Sequence, residues 1–200
     1  MVKKRFATKE DVSQIQDLAK KHYITQHQDI ETKGATCAIY RTDVLEHIIS
    51  DNLSFIAENE EGIQGYLLAC DGNGFYNAFG KTIDQALADY GYEVRGSKIF
   101  LPQACISDSI RDKGTYFKLH QMVLDTAKKR KNFDYAFGEI LELNRRSKKV
   151  HEYLGYQNVA SRTTNSLDDF KGNDEQLLKS LKQQYTPDRY NWLLMQKVLN

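Results

Sequence analysis

The sequence predicts an α/β protein, a mixed β-sheet with helices on both faces. Three observations carry this. Runs of period near 3.6 interleave with short β-rich runs along the whole chain. One stretch, "LSFIAENEEGIQGYLLACDG", reads as a hairpin, two β-rich runs around a glycine-containing turn. A strand, a glycine-bearing loop, a helix, a strand and a helix then follow in succession, and in open α/β sheets such a loop lies where ligands bind.

The elements follow in order. Residues 2–7 form a short first strand, and "TKED" from Thr8 resembles a capping box. Val12, Ile15, Leu18, Ala19 and His22 or Tyr23 mark one helix face, and "TDVLEHIISDN" carries a second helix. After the hairpin, "GKTIDQALADYG" places Ile83, Ala86, Leu87 and Tyr90 on one helix face. "SKIFLPQACIS" is a strand in which Pro102, having no N–H to donate, calls for a strand start or a bulge. The helix through "YFKLHQMVLDTAKKRK" buries Phe117, His120, Val123 or Leu124, and Ala127. "DYAFGEILEL" is a strand, and "NRRSKKVHEYLGY" is a helix stopped by Gly155. "YQNVASR" and "NWLLMQKVL" are the last two strands, around a polar, partly helical insertion at 161–189. One domain spans 1–200.

Composition sets the function classes. A formal net charge of +1 argues against wholesale nucleic-acid binding. No apolar run approaches the ~20 residues that span a bilayer, and the first residues lack the apolar stretch of a signal peptide. Cys37, Cys70 and Cys105 form neither a metal pattern nor a disulfide framework, and the five histidines have no ligand spacing. A cytoplasmic protein without a metal is expected.

"SIRDKGTYFKLH" sets two cations and a glycine before a helix start, where unpaired N–H groups and the helix dipole favour an anion such as phosphate. Here the chain resembles the GNAT superfamily of acyl-CoA-dependent N-acyltransferases. "RDKGTY" is similar to the family's Q/R-x-x-G-x-G/A loop, "NRRSKKVHEYLGY" resembles its N-x-x-S/A…Y/H-x-x-x-G-F/Y helix, and "FIAENEEGIQGYLLA" looks like the hairpin before its cofactor strand.

The resemblance implies a mostly antiparallel central sheet and acetyl-CoA as co-substrate. It implies that Ala104, Cys105 and Ile106 offer backbone groups to the pantetheine arm, and that Arg111, Asp112, Lys113, Gly114, Thr115 and Tyr116 wrap the pyrophosphate. Asn144 matches the family asparagine that contacts the cofactor arm, and Pro102 matches the bulge in the family's fourth strand.

Two positions depart from the pattern. Tyr116 stands where Gly or Ala is usual, so its ring either crowds the phosphates or lies over the loop as a lid. His151 stands where many members carry a tyrosine general acid.

Acyl transfer needs a proton for the leaving thiolate and a base for the amine. His151 is the candidate acid, and Tyr153, about 200° further round the helix, faces elsewhere. Glu139 is preferred over Glu142 as the base, their spacing placing them on opposite strand faces. Cys105 has no base partner and reads as a buried strand cysteine. Arg145, Arg146 or Lys149 would meet the 3′-phosphate, or serve as a solvated helix end. Tyr23, Tyr40, Tyr66 and Phe75 shape the acceptor pocket or the core.

The expected function is transfer of acetyl from acetyl-CoA to a primary amine of a small molecule or protein. No nucleic acid or membrane partner is expected, and a homodimer is a reasonable state. The alternatives are a catalytically degenerate CoA- or protein-binding module and a basic-patch RNA-binding domain.

Overall fold

Seven strands form one sheet in the order β1-β2-β3-β4-β5-β7-β6, antiparallel throughout except for the parallel pair β4–β5. The strands are β1 (Lys3–Phe6), β2 (Phe55–Asn59), β3 (Gly62–Cys70), β4 (Lys98–Ile106), β5 (Tyr135–Leu141), β6 (Gln157–Thr164) and β7 (Tyr190–Val198). The helices are α1 (Val12–Lys21), α2 (Thr42–Ser50), α3 (Gly72–Phe79), α4 (Ile83–Ala88), α5 (Thr115–Arg130) and α6 (Arg145–Tyr153). Tighter 3₁₀ turns occupy Lys9–Asp11 and Asp108–Lys113. The computed structural model describes residues 2–23, 35–130, 132–165, 172–176 and 189–199, with the side chains at 111–113 left aside.

The sheet separates two apolar clusters. Ile15, Leu18, Leu45, Ile48, Phe75 and Leu87 from α1–α4 pack on one face against Tyr66, Phe100 and Phe137. Leu119, Val123, Leu124 and Ala127 of α5 pack on the other against Leu67, Ile99, Ala136 and Ile140. This is the α/β sheet with both faces covered that the sequence predicts. Among the described residues, no helix is long and apolar enough to cross a membrane.

Most local signals act as the sequence indicates. Thr8 and Asp11 form the capping box, with the Asp11 carboxylate accepting from Thr8 N–H at 2.8 Å. Arg5 joins Asp11 at 2.7 Å and Glu58 at 2.8 Å, tying β1 to that turn and to β2. Asn59–Gly62 closes the hairpin, with Gly62 at φ +102°. Gly155, at φ +82°, stops α6.

Three expectations need correction. The buried stripe of α5 contains Leu119 beside the expected His120, Val123, Leu124 and Ala127, while Phe117 is only half-buried against the same cluster. Residues 161–164 belong to β6, paired with β7 from Ser161↔Leu193 to Thr164↔Tyr190, and not to an insertion. The remainder of 161–189 falls outside the described residues, except 172–176 and Arg189. Third, "GNGFYNAF" forms α3, which the sequence reading leaves unassigned. Asp71 caps it by accepting from Asn73 and Gly74 N–H at 2.8 and 3.1 Å, and Gly80 at φ +67° ends it.

Gly74 has no room for a side chain. A Cβ there would lie 1.9 Å from Asp51 Oδ2, and that carboxylate is pinned by Asp71 N–H at 2.9 Å. Gly74→Ala is therefore expected to destabilise the protein by about 1–3 kcal/mol, because seating the methyl group displaces the Asp51 carboxylate from its part-buried hydrogen bond to Asp71 N–H. Urea unfolding of the two proteins checks this, and equal stabilities would refute it.

Candidate active site

The site begins at a break in the sheet. β4 and β5 pair from Lys98↔Tyr135 to Leu101↔Gly138, and among the described residues the ladder stops there. On the other edge of β4, Cys70 pairs Phe100 and Leu68 pairs Gln103, so two residues of β4, Leu101 and Pro102, oppose the single Ala69 of β3. The extra residue lies at Leu101–Pro102, the bulge that Pro102 indicates in the sequence. Beyond it, Gln103 to Ile106 remain paired to β3 on one edge and face an opening on the other.

Side chains fix this geometry. Tyr40 Oη donates to Pro102 O at 3.3 Å. Tyr66 Oη donates to Gln103 Oε1 at 2.7 Å, and Gln103 Nε2 donates to Ala38 O. The segment 35–40 is thereby held along β4. Tyr23, Tyr40, Tyr66 and Phe75 are all buried in the α1–α4 cluster, and of these Tyr40 also lines the opening.

A cleft of about 340 Å³ runs along the opening, bounded by Ala104, Cys105 and Ile106 of β4, Gly114 and Tyr116 at the start of α5, Asn144 at the N-cap of α6, and Arg146 and Ser147 in its first turn. A narrower extension of about 80 Å³ continues inward past Leu101, Pro102, His120, Glu139, His151 and Trp192.

The structure therefore brings together Ala104, Cys105, Ile106, Gly114, Tyr116 and Asn144 from the sequence-based set. Arg111, Asp112 and Lys113 belong to the 3₁₀ turn Asp108–Lys113, with side chains outside the described atoms. Gly114 ends that turn at φ +67°, and a Cβ there would meet nothing within 4 Å, so the mouth of the cleft is open at this point. Thr115 is buried and borders a different hollow, with Ser109 and Ile110. Cys105 is buried, with Sγ 3.9 Å from Leu18 O.

Tyr116 lines the cleft together with Gly114. Its side chain spans from α5 to α6, with Oη 3.1 Å from Ser147 Oγ and the ring 4.7 Å from His120. Burial pushes its phenol up to about 12. Asn144 Oδ1 accepts from Ser147 N–H at 3.1 Å, so the residue caps α6 while facing the cleft.

His151 is 4 % exposed. Its Nδ1 lies 2.9 Å from Ser147 O. A carbonyl only accepts, so Nδ1 carries the proton and Nε2 keeps its lone pair. Nε2 points toward the end of the β4–β5 ladder, 3.5 Å from where a Cβ on Gly138 would stand. Burial lowers His151 to about 4 against the support of the Ser147 carbonyl, so the ring is neutral near pH 7. Tyr153, at 81 % exposed, faces outward as the helix period predicts.

Glu139 follows the parity of Phe137 and Leu141 on β5, which places it on the α1–α4 face, whereas His151 lies on the α5–α6 face. The two meet only through the opening. Glu139 Oε1 is 3.5 Å from Arg162 Nη2, and Arg162 is stacked 4.9 Å over Tyr90. Burial raises the Glu139 carboxyl above its ordinary range more than Arg162 lowers it. Glu142 lies beyond the end of β5, exposed, accepting from Asn191 Nδ2 at 3.1 Å. Sequence periodicity marks His120 as buried but not as a neighbour of this site. The tertiary packing of α5 against α6 puts it there, and no sequence signal specifies that contact.

Among the described residues, no cluster of three or more His, Cys, Asp or Glu side chains is placed to hold a metal ion. No protein-family model matches the chain. No curated protein matches it either. Solved structures do match along nearly the whole length. Arabidopsis thaliana NAA60 in complex with acetyl-CoA matches with TM-score 0.64 and 11 % identity, over 99 % of this chain and 99 % of that one. Arylalkylamine N-acetyltransferase 2 from Aedes aegypti matches with TM-score 0.62 and 15 % identity, over 100 % and 99 %. An acetyltransferase of the GNAT family from Streptococcus pneumoniae matches with TM-score 0.61 and 9 % identity, over 100 % of both chains. The chain has the GNAT fold.

The buried histidine makes stability pH-dependent. His151 titrates near its ordinary value of 6.5 when unfolded and at about 4 when folded. Between these values the unfolded chain binds more protons, so stability is retained above pH 6.5 and lost as the pH falls towards 4. For this group the loss is on the order of 3 kcal/mol. Unfolding free energies measured across that window should decline, and His151→Phe should remove part of the slope. Equal slopes in both proteins would contradict this assignment.

Proposed function

We propose that this chain, built on the GNAT fold, transfers an acetyl group from acetyl-CoA to a primary amine. The carrying observation is the opening where β4 and β5 part, with His151 on one wall, Glu139 on the other and Gly114 at the mouth. An extended arm fits along the cleft that runs past Ala104, Cys105 and Ile106 of β4, beyond the end of the β4–β5 ladder. The open space over Gly114, next to the start of α5, fits a pyrophosphate, because helix N-termini favour anions.

Acetyl-CoA supplies the thioester. Glu139 lies on the acceptor side, and its raised carboxyl suits it to take a proton from an incoming ammonium. His151 Nε2, a neutral lone pair at the opening, receives the second proton from the attacking nitrogen and returns it to the departing sulfur. One ammonium proton thus ends on Glu139 and the other on the thiol. The acceptor is a small molecule or a protein, and the aromatic wall of Tyr40 and Trp192 receives it.

Two measurements test this reading. In a thermal-shift panel of acetyl-CoA, CoA and unrelated nucleotides, the first two alone should stabilise the fold, by about 2.7 kcal/mol at 100 times Kd. Lys113→Glu should weaken acetyl-CoA binding markedly and leave the unliganded stability unchanged. An undiminished affinity in that variant would remove the loop from the site.

With an acceptor identified by an amine screen, His151→Ala should lower kcat by about 10² to 10⁴ and leave acetyl-CoA affinity within a few-fold. His151→Tyr should recover part of the rate. Full kcat in His151→Ala, where product release does not limit turnover, would reduce His151 to a packing residue.

A further inference from the structure

His120 has no part in that chemistry, yet it stands beside it. The residue is fully buried on α5, and neither ring nitrogen has a hydrogen-bond partner among the described residues. Its ring meets His151 nearly at right angles, with centroids 4.7 Å apart, and it borders the same narrow extension of the cleft. Tyr116 packs against it at 4.7 Å and Tyr156 at 6.1 Å, and Tyr156 Oη likewise has no hydrogen-bond partner among the described residues.

The helix period asks only for a buried ring or an aliphatic group at this position. A phenylalanine or leucine would fill it without burying two unsatisfied nitrogens, which is unfavourable in a dry interior. An imidazole kept there is suited to a partner that becomes charged only in passing. The neighbour that does so in the proposed transfer is His151.

We infer that His120 is a positioning residue for His151, the two imidazoles forming one unit that holds a single proton during transfer. A turn of the His120 ring aims a nitrogen lone pair at the imidazolium formed on His151, which stabilises that cation without a carboxylate. Two neighbouring imidazolium rings would repel, so the pair takes one proton and not two. No net proton is gained. The one His151 takes from the attacking nitrogen still leaves to the sulfur, and His120 is neutral before and after. The other groups around His151 are Tyr116 from α5, Tyr156 just past α6, Ser147 on its own helix and Glu139 across the opening. The chemistry rests on the acetyltransferase reading, but the coupling of the two rings does not.

His120→Leu and His120→Asn decide the matter, being nearly equal in shape and different in polar atoms. The first readout is the titration of His151, followed by NMR of its labelled ring. The second is the rate of acetyl-CoA hydrolysis with water as acceptor, measured by thiol release across pH. The Leu variant should take up its His151 proton at lower pH than wild type and hydrolyse acetyl-CoA about ten-fold more slowly, with acetyl-CoA affinity unchanged. The Asn variant should lie closer to wild type in both. Leu and Asn variants that titrate alike, or a Leu variant that titrates as wild type does, would overturn the inference. A wild-type protein that neither binds nor hydrolyses acetyl-CoA would refute the acetyltransferase reading, and the titrations alone would then decide the role of His120.

Discussion

The parting of β4 and β5 after Leu101 and Gly138 is the constraint on which the remaining geometry rests. A parallel pair inside a sheet normally continues until a turn ends it, because an interrupted ladder leaves backbone N–H and C=O groups unpaired. Here the interruption is built in. Pro102 has no N–H, the extra residue at 101–102 bends β4, and Tyr40 and the Tyr66–Gln103–Ala38 chain hold the strand in its displaced course. Past the end of that ladder, Ala104, Cys105 and Ile106 of β4 line the cleft.

Burial then sets the protonation of what faces the opening. Desolvation disfavours whichever form is charged, so it pushes a carboxyl up and an imidazole down. Glu139 moves up despite Arg162 at 3.5 Å, and His151 moves down despite the Ser147 carbonyl at 2.9 Å. Both walls of the opening are thus biased towards neutrality, from opposite faces of the sheet. Ser147 links this to the helix start. Its N–H donates to Asn144, its hydroxyl lies 3.1 Å from Tyr116 Oη, and its carbonyl fixes the His151 tautomer. The first turn of α6 and the ring at its seventh residue are therefore oriented as one piece.

Much of this is legible in the sequence where the cause is local. A proline that cannot donate gives the bulge, a glycine at positive φ gives the end of α6, and Thr8 with Asp11 gives a capping box, all within a few residues of the signal. α3 escapes the reading because glycine and asparagine are poor helix formers. Its stability comes from the Asp71 cap and from Phe75 and Phe79, which pack against each other at 4.8 Å and into the core. That is tertiary packing overriding propensity. The deeper burial of Leu119 than of Phe117 has the same origin, since the sheet beneath α5 decides which residues of its stripe go deepest.

The site divides along the same line. Ala104 to Ile106, Gly114 and Asn144 sit where motif spacing indicates, because they are backbone features of a strand, a turn and a cap. The directions of Tyr116, His120 and Glu139 depend on elements distant in sequence. Helical side chains lean towards the N-terminus, which favours a Tyr116 ring over its own loop. The ring instead crosses to Ser147, 31 residues away, where its hydroxyl finds a partner. Once it crosses, Tyr116 covers one side of His120, and His151 covers another. The same crossing that takes Tyr116 to Ser147 thus encloses His120 and His151 together, and the surroundings of both imidazoles follow from where one tyrosine finds its hydrogen bond.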